Sequence, residues 1–195
     1  MYSGASSGGI ATVAGTGVGG YQSTVGLGGY SFAFNDGVPP IGTGMCAATT
    51  MADGPCVDQT AVCVSGTTGI ASAAAPYNCY GGGFGINVGQ TSGSSTVGTY
   101  AVPSASTGIT YALSGFPTIA GGGMRIQVTV GGMTYCSPIT SGSGTVAWTA
   151  MTVACYNPGG AALPGAPNAL TNVEFTIDDG TAGMPYDICL TALTF

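Results

Sequence analysis

The chain of 195 residues carries no histidine, no lysine and a single arginine against seven acidic residues, giving a net charge of -6. Charged residues make up 4% of it, where about 25% is usual. The missing histidine excludes Ser-His-Asp and Cys-His nucleophilic systems, and the missing lysine excludes Schiff-base and Ser-Lys chemistry.

With one cation the chain cannot neutralise phosphates, so nucleic acid and anionic lipid surfaces are poor partners. Low charge also suits a membrane protein, but a spanning helix needs about 20 consecutive apolar residues. Gly, Ser or Thr interrupts every apolar run, so no membrane insertion is expected. Disorder is countered by an apolar content of 45%, set in alternating runs that can build a core. No Arg- or Lys-headed signal peptide stands at Met1, and any export signal is expected to have been removed.

Seven cysteines in so uncharged a chain point to an oxidising compartment, hence an extracellular or cell-surface location. Zinc is the weaker reading, because there is neither histidine nor a Cys-x-x-Cys spacing. The count does not fix connectivity. Cys136 with Cys155 is the preferred pair, with Cys46–Cys56 and Cys63–Cys79 as local loop closures. The odd cysteine is expected to be Cys189, inert in an apolar final strand.

Residues 1–28 form an uncharged segment rich in Gly, Ser and Ala. Alone it lacks the composition to fold, and it is expected to be held by its own domain or by a neighbouring copy. Ile10, Thr12, Val13, Val18 and Val25 could contribute to a strand added to a neighbour's open edge. From residue 29 to 195 the pattern is one β domain. Tyr30, Phe32 and Phe34 alternate with small residues before the turn Asn35-Asp36-Gly37. Residues 38–60 read as a loop punctuated by Pro and Gly. Strands are predicted at 61–65, 68–72, 84–89, 98–102 and 109–114. The clearest spans 124–130, with Met124, Ile126, Val128 and Val130 on one face and Arg125, Gln127 and Thr129 on the other. Others follow at 133–137, 145–149, 172–178 and 186–194. About ten short strands separated by Gly/Pro turns predict an all-β, two-sheet sandwich.

Several phrases carry a resemblance: Gly29-Tyr30-Ser31-Phe32-Ala33-Phe34-Asn35-Asp36-Gly37, Tyr80-Gly81-Gly82-Gly83-Phe84-Gly85-Ile86-Asn87-Val88, Tyr135-Cys136-Ser137-Pro138-Ile139 with Ala154-Cys155-Tyr156, and Pro185-Tyr186-Asp187-Ile188-Cys189-Leu190. In order and spacing they resemble secreted bacterial carbohydrate-binding-module-like jelly rolls of the galactose-binding type, over residues 29 to 195. The resemblance implies a jelly-roll fold behind a Gly-rich N-terminal extension, secretion and no catalysis. Sugar binding it implies only loosely. It also implies a calcium joining the first strand to the last, with Asp36 and Asp187 at the matching positions. Calcium takes six to eight oxygens, many of which Gly-rich turns can supply as carbonyls. The alternatives are an Asx turn at Asp36 and a buried ion pair between Asp187 and Arg125.

Two carboxylates suffice for a glycosidase. Glu174, the sole glutamate, shares a strand face with Asp178, but four residues of strand span about 13 Å. Glycosidase pairs stand roughly 5–9.5 Å apart, so catalysis is not expected. A polysaccharide site would need aromatic platforms. Tyr77 and Tyr80 flank Cys79 in a Gly-rich loop, while Trp148 alternates with Val146, which favours core packing over a platform.

Two functions stay open. One is a structural subunit of an extracellular filament or surface layer whose partners are copies of itself, associating through neutral faces and residues 1–28. The other is a secreted carbohydrate-binding module.

Overall fold

In a computed structural model of the chain, the residues described are 31–35, 50–57, 62–67, 82–88, 96–118, 123–155, 159–178 and 184–195; for 31–35, 50–57 and 62–66 this covers the backbone alone. They form ten strands: β1 (Ser31–Asn35), β2 (Thr50–Val57), β3 (Val62–Thr67), β4 (Gly82–Asn87), β5 (Gly108–Ser114), β6 (Met124–Val130), β7 (Met133–Ile139), β8 (Ser143–Ala147), β9 (Leu170–Ile177) and β10 (Pro185–Thr194). All pairings are antiparallel. One five-stranded sheet runs β1-β4-β9-β6-β7 and the other β2-β3-β10-β5-β8. Within them, β3-β10-β5-β8 and β4-β9-β6-β7 interleave along the chain as the two four-stranded sheets of a jelly roll. β2 and β1 widen one edge of each. Among the described residues no helix is long and apolar enough to cross a membrane.

The sheets are joined by the inward half of each strand. On β6, Met124, Ile126 and Val128 are buried between half-buried Arg125, Gln127 and Thr129, as the alternation predicts. β9 turns Val173, Phe175 and Ile177 inward in the same way. Phe175 stacks on Phe84 of β4 at 5.3 Å between ring centroids and meets the edge of Tyr111 at 6.0 Å. Because Tyr111 belongs to β5, this trio crosses between the sheets. On β10, Tyr186, Ile188 and Leu190 face inward until a bulge between Leu190 and Ala192 shifts the register, after which Leu193 takes the core position.

Turns follow from local chemistry. β6 and β7 are joined by Gly131-Gly132 alone, with φ of 58° and 82°. Two successive positive φ values make the tight turn whose twist matches its strands, and glycine adopts them without a Cβ clash. Gly115, after β5, has φ of 70°, and a Cβ there would lie 1.8 Å from the carbonyl of Asp187.

The structure departs from the sequence reading in places. The expected loop at 38–60 contains β2. The strand expected at 98–102 is reduced to a single bridge, Tyr100 opposite Leu170. The one expected at 145–149 ends at Ala147, and Trp148 opens a short 3-10 turn, Trp148–Ala150. The segment 1–28 and the strand expected at 68–72 lie outside the described residues.

Cys136 and Cys155 form the preferred disulfide, with Cα atoms 5.3 Å apart. Cys189 is not the odd thiol, because it too is disulfide-bonded. Alternation turns its neighbours Ile188 and Leu190 into the core, which leaves Cys189 on the outer face of its sheet. Its partner is therefore one of Cys46, Cys56, Cys63 and Cys79, so the pairs Cys46–Cys56 and Cys63–Cys79 cannot both form. Cys63 stands directly opposite Cys189 in the β3–β10 register, within the reach that a disulfide requires.

Two outcomes are expected. Phe175→Ala should destabilise the protein by about 3–5 kcal/mol in urea unfolding, the usual cost of emptying a buried aromatic site. Peptide mapping without reduction should recover Cys189 linked to Cys63; a link to any other cysteine would refute this assignment.

Candidate functional site

The side chains with chemistry to offer gather on the outer face of the β1-β4-β9-β6-β7 sheet. β9 contributes Asn172, Glu174 and Thr176 there, with Asp178 just past its end, and β6 contributes Arg125, Gln127 and Thr129. Their registers set Gln127 opposite Glu174, Arg125 opposite Thr176 and Thr129 opposite Asn172. On β4 the places opposite Thr176 and Glu174 are held by Gly83 and Gly85. The row is cross-linked. Gln127 Nε2 donates to Thr176 Oγ1 at 2.7 Å, and the Thr129 N–H donates to Asn172 Oδ1 at 3.2 Å. Thr176 is fully buried, so its hydroxyl needs that partner.

Arg125 anchors one end of the row. Its Nη2 donates to Asp178 Oδ2 at 2.5 Å, and its Nη1 donates to the Cys155 carbonyl. Their side chains are 14% and 17% exposed, which places the ion pair between a solvated and a buried one. Cys155 is itself bonded to Cys136 of β7, and Cys136 exchanges backbone hydrogen bonds with Thr152 at 2.9 and 3.0 Å. A single guanidinium thus ties the end of β9 to a loop that a disulfide fixes to β7.

Burial pushes the Glu174 carboxyl above the usual carboxylate range. Asp178 is also raised, by burial first, with the hydrogen bond and charge of Arg125 pulling the other way. In each, burial disfavours the charged form. Glu174 and Asp178 remain four strand residues apart, about 13 Å, and Asp178 is engaged by Arg125. The arrangement ties strands together; it does not present two carboxylates to a common point.

The other expected site residues fall elsewhere. Trp148 is corrected as a platform: it is 1% exposed, stacks on Phe195 at 6.0 Å and donates from Nε1 to Ser106 Oγ at 3.0 Å. Alternation with Val146 carries its ring into the core. Asp187 is exposed on the outer face of β10, on the opposite side of the sandwich from Arg125. The ion pair given as the alternative for Asp187 is therefore not the one formed: Arg125 pairs with Asp178. Asp36, Tyr77, Tyr80, Ile10, Val13, Val18 and Val25 lie outside the described residues. For calcium, Asp187 offers one carboxylate, and among the described residues no three His, Cys, Asp or Glu side chains gather where they could hold a metal ion. Sequence reasoning missed the clasp of Arg125, Asp178 and Cys155. Its only available signal was that a lone cation must choose among six aspartates, and that choice depends on β6 lying beside β9.

No protein-family model matches the chain, and no curated protein matches it. The class of the molecule therefore rests on its architecture: an all-β jelly-roll sandwich with a disulfide and an outer-face ion pair.

The raised Glu174 has a consequence for stability. An acid whose pKa is higher folded than unfolded contributes stability below its ordinary value of 4.5, and that contribution is lost as pH rises through the folded value. Glu174→Gln is therefore expected to raise the melting temperature more at pH 7 than at pH 4. Thermal unfolding across that range checks it, and an equal shift at both pH values would contradict it.

Proposed function

We propose that this protein is a structural subunit of an extracellular filament or surface layer, built on a lectin-like jelly roll and joined to copies of itself through neutral surfaces and residues 1–28. The observation that carries this reading is the near absence of exposed charge among the residues whose side chains are described. Of the four charged side chains described (Arg125, Glu174, Asp178 and Asp187), three are half-buried and only Asp187 is exposed. Among the described residues, what faces solvent is chiefly Gly, Ser, Thr, Ala and Pro. Monomeric proteins rely on interspersed surface charge to remain apart, whereas faces of this composition meet at little desolvation cost. The disulfides at Cys136–Cys155 and at Cys189 support an oxidising, extracellular setting. Buried Trp148 removes one of the three aromatic candidates for sugar stacking, which weighs against the carbohydrate-binding alternative.

The reading predicts that purified protein forms assemblies many times the 18.8 kDa of one chain, visible in negative stain. Removing residues 1–28 should abolish polymerisation while leaving the thermal transition of the sandwich in place. A protein that stays monomeric at high concentration would overturn the proposal. Filaments that form normally without the segment would remove its role.

A further inference from the structure

We propose that β8 is a contact strand, pairing antiparallel with β8 of a second copy about a two-fold axis at Thr145; this rests on the self-associating function proposed above. β8 closes one edge of the β2-β3-β10-β5-β8 sheet. Its register with β5 runs from Gly108 opposite Ala147 to Ala112 opposite Ser143 without a shift. Beyond the ends of β8, the Trp148 N–H donates to the Thr107 carbonyl at 3.1 Å, and the Leu113 N–H donates to the Gly142 carbonyl at 2.6 Å. Antiparallel ladders alternate between bonded and non-bonded pairs. The backbone groups of Gly142, Gly144, Val146 and Trp148 therefore turn toward β5, and those of Ser143, Thr145 and Ala147 turn outward. All three of these residues are exposed. Among the described residues their outward groups meet one partner, the Ser141 hydroxyl, which donates to the Ser143 carbonyl at 2.7 Å.

Exposed edges are ordinarily protected by charge, proline, a bulge or a covering segment. β8 has none of these among the described residues. The contrast with β7, the edge of the other sheet, is direct. β7 carries Pro138 and is bridged along its free side by Thr152 opposite Cys136.

A second copy fits this edge because the edge is complementary to itself. An axis at Thr145 sets Thr145 against Thr145 and Ser143 against Ala147 in both directions, all outward-facing positions, and forms about six backbone hydrogen bonds. No like charges meet, and paired threonines are favourable cross-strand neighbours. The flanking exposed residues, Thr140, Ser141, Thr149 and Ala150, are uncharged as well. Five residues of edge bury less than a standard interface, so the contact is weak alone and gains strength from other contacts in an assembly.

The test is sedimentation of the full chain with Thr145→Lys, with Thr145→Asp, and with the two mixed in equal amounts. Circular dichroism melts show that each variant retains the sandwich. Each single variant is expected to associate about tenfold or more weakly than the wild type, because like charges then meet on the axis. The mixture is expected to recover association, because the opposite charges meet instead. Lysine-variant protein that assembles like the wild type overturns the β8 contact and leaves the proposed function standing, with residues 1–28 as the remaining route. A mixture that recovers nothing also overturns the contact. Wild-type protein that never associates defeats the function and the contact together.

Discussion

The contact on which the molecule depends is the meeting of two sheets across Phe84, Phe175 and Tyr111. Phe175 is fully buried and touches a ring from its own sheet and one from the other, so it fixes both the spacing and the relative placement of the layers. Because strands alternate, each residue given to that core commits its neighbours to the outside. Most proteins place charge there. Among the described residues this chain places chiefly glycine, serine, threonine and alanine there, with Asp187 the one exposed charge.

The one arginine is used in the structure where strand pairing leaves carboxylate and loop close together. Arg125 sits on an interior strand, and its guanidinium serves Asp178 and the Cys155 carbonyl together. Planar guanidinium suits two acceptors at once. The disulfide at Cys155 and the bridge at Thr152 act on the same loop, so one end of this outer face is held by covalent, ionic and backbone bonds. Glu174, without a cation beside it, carries the cost of burial as a raised pKa.

Much of the fold was legible because its strands alternate cleanly. β6 needed only its own seven residues to declare which side faced the core, and Gly131-Gly132 sets its turn. β2 was hidden because the Pro and Gly residues of 38–60, Gly54 and Pro55 among them, read as a loop. Its pairing with β3 shifts register twice, and an edge strand tolerates a proline that a central one would not. Trp148 was placed on the right face, but its strand gives way to a 3-10 turn first. Cys189 was misjudged because hydropathy along the strand was weighed above alternation across it. The partner of Arg125 was beyond reach from sequence, since Asp178 lies 53 residues away and only the crossover that sets β9 beside β6 brings them together.

The position of Arg125 has a consequence for resistance to proteolysis. Proteases of the trypsin type cut after Lys or Arg, and this chain offers them one bond. That bond lies inside β6, paired on one side with β9 and on the other with β7, and cleavage needs a strand pulled out into the enzyme's cleft. Exposing this bond therefore requires β6 to part from strands on both sides. Lifetime among such enzymes then follows how readily that opening occurs.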